Sequence, residues 1–418
     1  MDRPWRLRPV LLQAVFRSGD VAEAEKLAGE KHMAYRTLTR DEHFQLPGPK
    51  RILALDGGGL RGILSLGFLS RIEALLRGRH GAPDLRLSHY FDLIAGTSTG
   101  AIIAAALAKG LTVEEITRLY LTLGHDVFKR SWFRQGVLRA RYDEAKLAEQ
   151  LQRVLGKETT LGSDSLETGL LIVTKRLDTG SPWPIGNNPR GKYFQAPPEA
   201  DWISNRDYPL WKVVRASTAA PSYFDPEEIV ISERPGRKSV VGSFVDGGVS
   251  PFNNPALQAL MYTTLDGFRV KWQTGAENLL IVSIGTGVSD PSRTPAKLAA
   301  EGAIKALLAL MDDSAALVET MMQWMSMSAR ARVIDREIGD LRQDLIGPTP
   351  QFSYLRYNLT LTRDAIEPIK GGLSDGEIEA LSAMDDPGRL ETLRELGLLA
   401  AAQQVQDADF PPRFDLPI

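Results

Sequence analysis

Twice between Arg51 and Ala108 an apolar run ends in a glycine-bounded turn, and an apolar helical pattern begins directly after it. The first copy runs Ile52 to Leu55, then Asp56-Gly57-Gly58-Gly59-Leu60-Arg61-Gly62, then an amphipathic helix to about Leu76. The second runs Tyr90 to Ile94, then Gly96-Thr97-Ser98-Thr99-Gly100, then a helix through Ala108 capped by Gly110. Two strand-turn-helix units in tandem demand a parallel pairing of their strands, because a helix returns the chain to the same sheet edge. Further strands are predicted at Gly169 to Val173, Ser239 to Val245 and Asn278 to Ile284. The expected class is α/β, with a mostly parallel sheet covered by helices on both faces.

Breakers divide the rest. Pro47-Gly48-Pro49 separates a helix-patterned N-terminal extension (1–46) from the domain spanning 47–370, and Gly371-Gly372 opens a C-terminal extension (371–418). Within that extension Ser374 and Glu377 form a capping-box pattern, a helix is expected from about Pro387, and the chain from Asp409 reads as a loose tail. The Pro-, Gly- and Trp-rich stretch from Gly180 to Tyr208 reads as a long loop, and Met311 to Arg342 as a methionine-rich helical region.

Composition excludes several classes. With 43% hydrophobic and 24% charged residues the chain is an ordinary globular one, and its net charge of −2 gives no overall pull toward nucleic acid or anionic lipid. The absence of cysteine removes disulfides, thiolate catalysis and cysteine-ligated zinc. Arg3, Arg6 and Arg8 precede a short apolar run, Val10 to Phe16, but Arg17 and Asp20 interrupt it, so an amphipathic helix rather than an export signal is expected. The longest apolar stretch, Ala101 to Ala108, falls short of the ~20 residues a membrane-spanning helix needs. A cytoplasmic location is the expectation.

Ser98 lies where a strand must turn sharply into a helix, and its flanking glycines permit the bend that lifts a serine hydroxyl out of a sheet. A packed turn with a buried serine is the alternative. The base cannot follow the order nucleophile, acid, late histidine, because of the five histidines only His125 follows Ser98, just ahead of a basic aromatic segment. Asp246, in Phe244-Val245-Asp246-Gly247-Gly248 at the end of an apolar strand, is the better placed base, against the alternative of an Asx-turn aspartate. An ordinary aspartate pKa of ~3.9 is too low for that task, so burial must raise it. The loop Gly57-x-Gly59-x-x-Gly62 offers consecutive amides to an anion, whether a pyrophosphate or the oxyanion of a tetrahedral intermediate. A nucleotide-binding reading lacks a clean acidic residue after a second strand, and no phosphate loop of the GxxxxGK[ST] type exists. Arg61 would add positive charge beside the bound anion, or pair on a helix surface.

These three elements in this order, DGGGLRG, GTSTG and DGG, resemble the signature set of the patatin-like phospholipase family. Arg215-Ala-Ser-Thr-Ala-Ala-Pro-Ser-Tyr-Phe and Leu279 to Gly287 look like further family blocks, so the resemblance covers roughly Arg51 to Thr360. It implies a three-layer α/β/α sandwich, a Ser98–Asp246 dyad, and an oxyanion region of Gly57, Gly58, Gly59 and Gly62 with Arg61. The implied chemistry is hydrolysis of phospholipid or other lipid acyl esters through an acyl-enzyme, with no metal and no cofactor. Some bacterial proteins of this kind are effectors switched on by a cyclic nucleotide, and the unexplained extensions make such an activator a reading to test. Phe128 to Arg134, with Arg139 and Arg141, mixes basic and aromatic residues as a peripheral membrane segment would, or packs as a surface helix. The methionines around Met321 suit an adaptable wall for acyl chains and ordinary core packing equally.

Overall fold

The computed structural model describes residues 35–127, 144–221, 223–233, 236–288 and 299–417. In chain order its main elements are α1 (Arg40–Gln45), β1 (Lys50–Leu55), α2 (Gly62–His80), β2 (Leu93–Thr97), α3 (Thr99–Ala108), α4 (Val113–Val127) and α5 (Glu144–Leu155). Then come β3 (Gly169–Arg176), β4 (Pro182–Gly186), α6 (Leu210–Ser217), β5 (Glu227–Ser232), β6 (Val240–Asp246) and α7 (Ala256–Thr264). The chain finishes with β7 (Leu279–Ile284), α8 (Ala299–Met325), β8 (Ser353–Tyr357), α9 (Asp375–Ala380) and α10 (Leu390–Gln404).

The strands form one eight-stranded sheet in the order β5-β6-β3-β2-β1-β7-β8, with β4 also on β3. β3, β2, β1, β7 and β8 are parallel to one another, as the strand-turn-helix pattern requires. Every residue of β1, β2, β7 and β8 is buried, which explains the apolar runs Ile52–Leu55 and Leu279–Val282: both faces are covered. Alternate residues feed two cores. Leu53, Leu55, Ile94, Leu170 and Ile172 pack with α2, α3 and α10, whereas Ile52, Ala54, Leu93, Ala95 and Leu171 pack with α7 and α8. The result is a helix-sheet-helix sandwich of the expected class.

Several local expectations are corrected. The stretch expected to be a loop from Gly180 to Tyr208 contains β4, antiparallel to β3, a strand disguised by Pro182 and Pro184. β5 and β6 are also antiparallel, which leaves the sheet mostly parallel, as the sequence leads one to expect. The second strand begins at Leu93, not Tyr90; Tyr90 and Phe91 are core aromatics, packed edge to face, with Phe410 beside them. The helix expected to reach Arg342 stops at Met325. The supposed loose tail is docked: Phe410 and Phe414 are fully buried, and Asp409 accepts hydrogen bonds from Tyr357 Oη (2.8 Å) and Arg330 Nε (2.7 Å). Too few apolar residues stand in that tail to show any periodicity, so its anchoring was invisible to pattern reading.

The capping box at Ser374 and Glu377 forms as its spacing predicts. α10 lies against α2 at unusually close range, since a Cβ at Gly67 would sit 2.3 Å from the carbonyl carbon of Gly397 and one at Gly397 would sit 2.5 Å from the Leu64 carbonyl oxygen. Paired glycines let the two backbones touch. Among the described residues no helix is long and apolar enough to cross a membrane.

Candidate active site

The turn after β2 is made by contact of backbone with backbone. A Cβ at Gly96 would lie 2.2 Å from the Gly100 carbonyl oxygen, and one at Gly100 would lie 2.1 Å from that of Leu55, so neither position admits a side chain. Between them Ser98 adopts φ 54° and ψ −123°, a conformation that costs a non-glycine residue about 1–3 kcal/mol. The strain is held by a bond that the motif does not reveal. Ser98 N–H donates to Ser217 Oγ (2.9 Å), whose own hydroxyl donates to the Val173 carbonyl (2.6 Å), tying the turn to α6 and β3 at once.

Asp246 reaches the same place from the opposite direction. β2 pairs with β3 as far as Thr97 opposite Val173, and antiparallel β6 pairs with the next residues, Asp246 opposite Thr174. The ends of β2 and β6 therefore meet at consecutive positions of β3. This meeting brings Ser98 Oγ within 2.6 Å of Asp246 Oδ2, while the other carboxylate oxygen, Oδ1, accepts from the Gly248 amide (2.7 Å). Ser98 and Asp246 are 9% and 3% exposed. Burial pushes the Asp246 carboxyl up to about 6, with the Ser98 and Gly248 hydrogen bonds and the charge of Arg215 acting against it. A carboxylate with that affinity can accept a serine proton near neutral pH.

The glycine loop closes the third side. A Cβ at Gly57 would stand 3.1 Å from Ser98 Cβ, so the loop passes directly over the nucleophile. Its backbone is clamped: Gly57 N–H donates to the Asn253 carbonyl (3.1 Å), the Gly57 carbonyl accepts from Thr286 Oγ1 (2.9 Å), and the Gly59 carbonyl accepts from Tyr120 Oη. The Gly62 amide is used inside the helical turn that starts α2. Among the described residues, the amides of Gly58 and Gly59 find no protein acceptor. Behind the loop, Asp56 is held by a bidentate pair from Arg356 of β8, at 3.0 and 2.6 Å. Arg61 is buried; desolvation pulls its pKa below the ordinary value and Asp312 of α8 opposes that pull. The Met384 carbonyl, from the C-terminal extension, accepts from Leu60 N–H (2.8 Å) and leaves no room for a Cβ at Gly59.

Sequence reading named Ser98, Asp246 and the glycine loop; the structure brings Ser98, Asp246 and Gly57 together, whereas Gly62, expected beside the oxyanion, spends its amide in the helical turn. It missed Ser217, Asn253, Thr286 and Arg356, whose single polar side chains carry no spacing signal; Ser217 and Thr286 at least fall in the blocks that carry the family resemblance. The described histidine side chains lie elsewhere: His43 on Asp92, His80 near Asp415 and His89 on Tyr35 and Glu167. The side chain of His125 and the basic aromatic segment at 128–141 lie outside the described residues. No cluster of acidic or histidine side chains among the described residues could hold a metal ion.

Residues 53–260 match the family described as patatin-like phospholipase. The chain is 30% identical over 252 residues to a cGAMP-activated phospholipase of Escherichia coli, an alignment covering 59% of this chain and 65% of that protein. It is 29% identical over 268 residues to a cGAMP-activated phospholipase of Vibrio cholerae, covering 62% and 70%. It is also 30% identical over 260 residues, 59% and 63%, to an Arabidopsis thaliana protein named "Probable inactive patatin-like protein 9". Similarity at this level thus extends to proteins whose names differ in activity, and the geometry of the site has to decide between them.

Proposed function

We propose, from the premise that this chain belongs to the patatin-like phospholipase family through its residues 53–260, that it hydrolyses lipid acyl esters with Ser98 as nucleophile and Asp246 as base. The observation that carries this reading is the 2.6 Å hydrogen bond between Ser98 Oγ and a buried carboxylate whose affinity for a proton is raised to about 6. Ser98 Oγ attacks the acyl carbonyl while Asp246 Oδ2 takes its proton. The free amides of Gly58 and Gly59, with the charge of Arg61 behind them, receive the oxyanion. Asp246 returns the proton to the leaving alcohol, and water releases the fatty acid from Ser98 by the reverse sequence. The nearness of the glycine loop to Ser98 favours this use of its amides over a dinucleotide.

A phospholipid at a membrane surface is the substrate this reading implies, with peripheral contact and no nucleic acid. Two relatives are named as cGAMP-activated, which supports a cyclic nucleotide as activator here too. The test is intact-mass analysis after treatment with a fluorophosphonate, with and without cGAMP, alongside hydrolysis of phospholipid vesicles. One adduct on Ser98, absent from Ser98→Ala, is expected, and Ser98→Ala and Asp246→Asn should each lose at least about 10³-fold in turnover. An adduct that persists in Ser98→Ala, or a substantially active Asp246→Asn, rules out the dyad; labelling that is indifferent to cGAMP rules out the activator.

A further inference from the structure

The loop after Asp246 is tied down step by step. Ser250 Oγ donates to the Gly247 carbonyl (2.6 Å), the Phe252 carbonyl accepts from Thr97 Oγ1 (2.7 Å), and the Asn253 carbonyl accepts from Gly57 N–H. Asn254, next in the chain, spends its side-chain oxygen on the Ala256 amide (3.0 Å) and Ser283 Oγ (3.3 Å). Asn253 differs. It is 5% exposed, and its Oδ1 is buried with no hydrogen-bond partner among the described residues. An unpaired buried amide oxygen weakens the fold; Asn254 Nδ2 and Tyr90 Oη are also buried without a partner among the described residues, so it is the place of the Asn253 oxygen that points to a use.

Its position supplies one. A Cβ at Gly57 would meet Asn253 Oδ1 at 2.4 Å and Ser98 Cβ at 3.1 Å. A Cβ at Gly248 would meet the same Asn253 oxygen at 2.9 Å and Asp246 Oδ1 at 3.0 Å. The orphan acceptor therefore stands between the glycine loop and the base, beside both members of the dyad. What it lacks is a donor. During acylation the groups at this point are an ester oxygen and one serine proton, and Asp246 takes that proton. During deacylation a water occupies the place of the leaving alcohol and brings two hydrogens.

We infer that Asn253 Oδ1 orients the water that releases the acyl group from Ser98, accepting a hydrogen bond from one O–H while Asp246 takes the proton of the other. The inference rests on the Ser98–Asp246 reading. In that step the water oxygen bonds to the acyl carbon, the tetrahedral centre collapses, the bond from carbon to Ser98 Oγ breaks, and Asp246 hands its proton to Oγ. Asn253 neither gains nor loses a proton; it is a positioning residue for deacylation alone.

The test is pre-steady-state hydrolysis of a p-nitrophenyl fatty-acyl ester by the full chain, with and without cGAMP, comparing wild type with Asn253→Leu, which keeps the branched outline and removes the acceptor, and with Asn253→Ala. The expected result is a burst and a fluorophosphonate labelling rate within about twofold of wild type, a fall of roughly 30-fold in steady-state turnover, and an acyl adduct accumulating on Ser98 in intact mass. Because labelling requires a folded site, a variant that does not fold declares itself, and the second variant then decides. Burst and turnover falling together in the labelled variants, or turnover unchanged, overturns the inference, since an oxyanion donor or a packing residue would slow both steps or neither. If wild type itself gives no burst and no adduct, the dyad reading fails first and takes this inference with it.

Discussion

Asp92 and Asp246 are both buried, at 1% and 3% exposure, yet they stand at opposite ends of the sheet's chemistry. Asp92, immediately before β2, accepts from the Arg51 guanidinium at 3.0 and 3.3 Å, from the Arg51 amide at 2.9 Å and from His43 Nδ1 at 2.9 Å. Burial alone would raise its pKa, but the charges of Arg51 and Lys50 and the His43 bond hold it well below the usual carboxylate range. Asp246 has a hydroxyl and one amide in place of those cations, and burial prevails. The comparison teaches that depth does not make a base; the partners do. A carboxylate surrounded by cations is a structural staple, and one given only neutral donors keeps an appetite for a proton.

The largest expected effect breaks the staple. Asp92→Asn strands Arg51 and Lys50 without their counter-charge and should cost about 3–5 kcal/mol in urea unfolding at neutral pH. The sign follows from the direction of the shift: a depressed carboxylate contributes stability above its unfolded pKa and loses it as pH falls through the folded one. The deficit of Asp92→Asn should therefore shrink in acid below about pH 4. An equal deficit at every pH would mean that the cations are held by something else.

Asp246 should behave in the opposite sense. With its folded pKa raised to about 6, its contribution to stability is present below its unfolded value and lost as pH rises through 6. Asp246→Asn should thus be the more stable protein above pH 6, by up to about 3 kcal/mol, and the two should converge below about pH 4. The same ionisation appears in catalysis as a kcat/KM that climbs with pH to a plateau above about 6. A variant that is less stable than wild type at pH 8 would show that Asp246 is another staple.

This contrast also explains how much could be read in advance. β1, β2 and the helices after them were legible because a covered parallel strand is a continuous apolar run and its turn must be glycine. Asp246 was legible because it ends a predicted strand and is followed by two glycines. Its antiparallel approach was not, since strand direction depends on which neighbours β6 finds, and it runs antiparallel to both β3 and β5. Asp92, by contrast, reads as one more polar residue in Tyr90-Phe91-Asp92-Leu93; the partners that define it, Lys50 and Arg51 of β1 and the His43 ring of the helix before it, lie some forty residues away in the chain. Asn253 is a single polar residue in a loop and Ser217 one at the end of α6, and only the assembled fold brings them to the nucleophile.

The smallest expected effect separates the turn from the base. Ser217→Ala removes the acceptor that holds Ser98 N–H and a donor to Val173, which should cost about 1 kcal/mol, or roughly fivefold in the rate of Ser98 acylation by a fluorophosphonate. Ser217 touches the strained backbone of Ser98 and makes no hydrogen bond to Asp246, whose proton affinity is set by burial. The pH midpoint of acylation should therefore stay near 6 in the variant while its plateau falls. A midpoint that moves with the plateau would mean that the elbow and the carboxylate titrate as one unit, and that the geometry of Ser98, as well as the depth of Asp246, sets the affinity of the site for its proton.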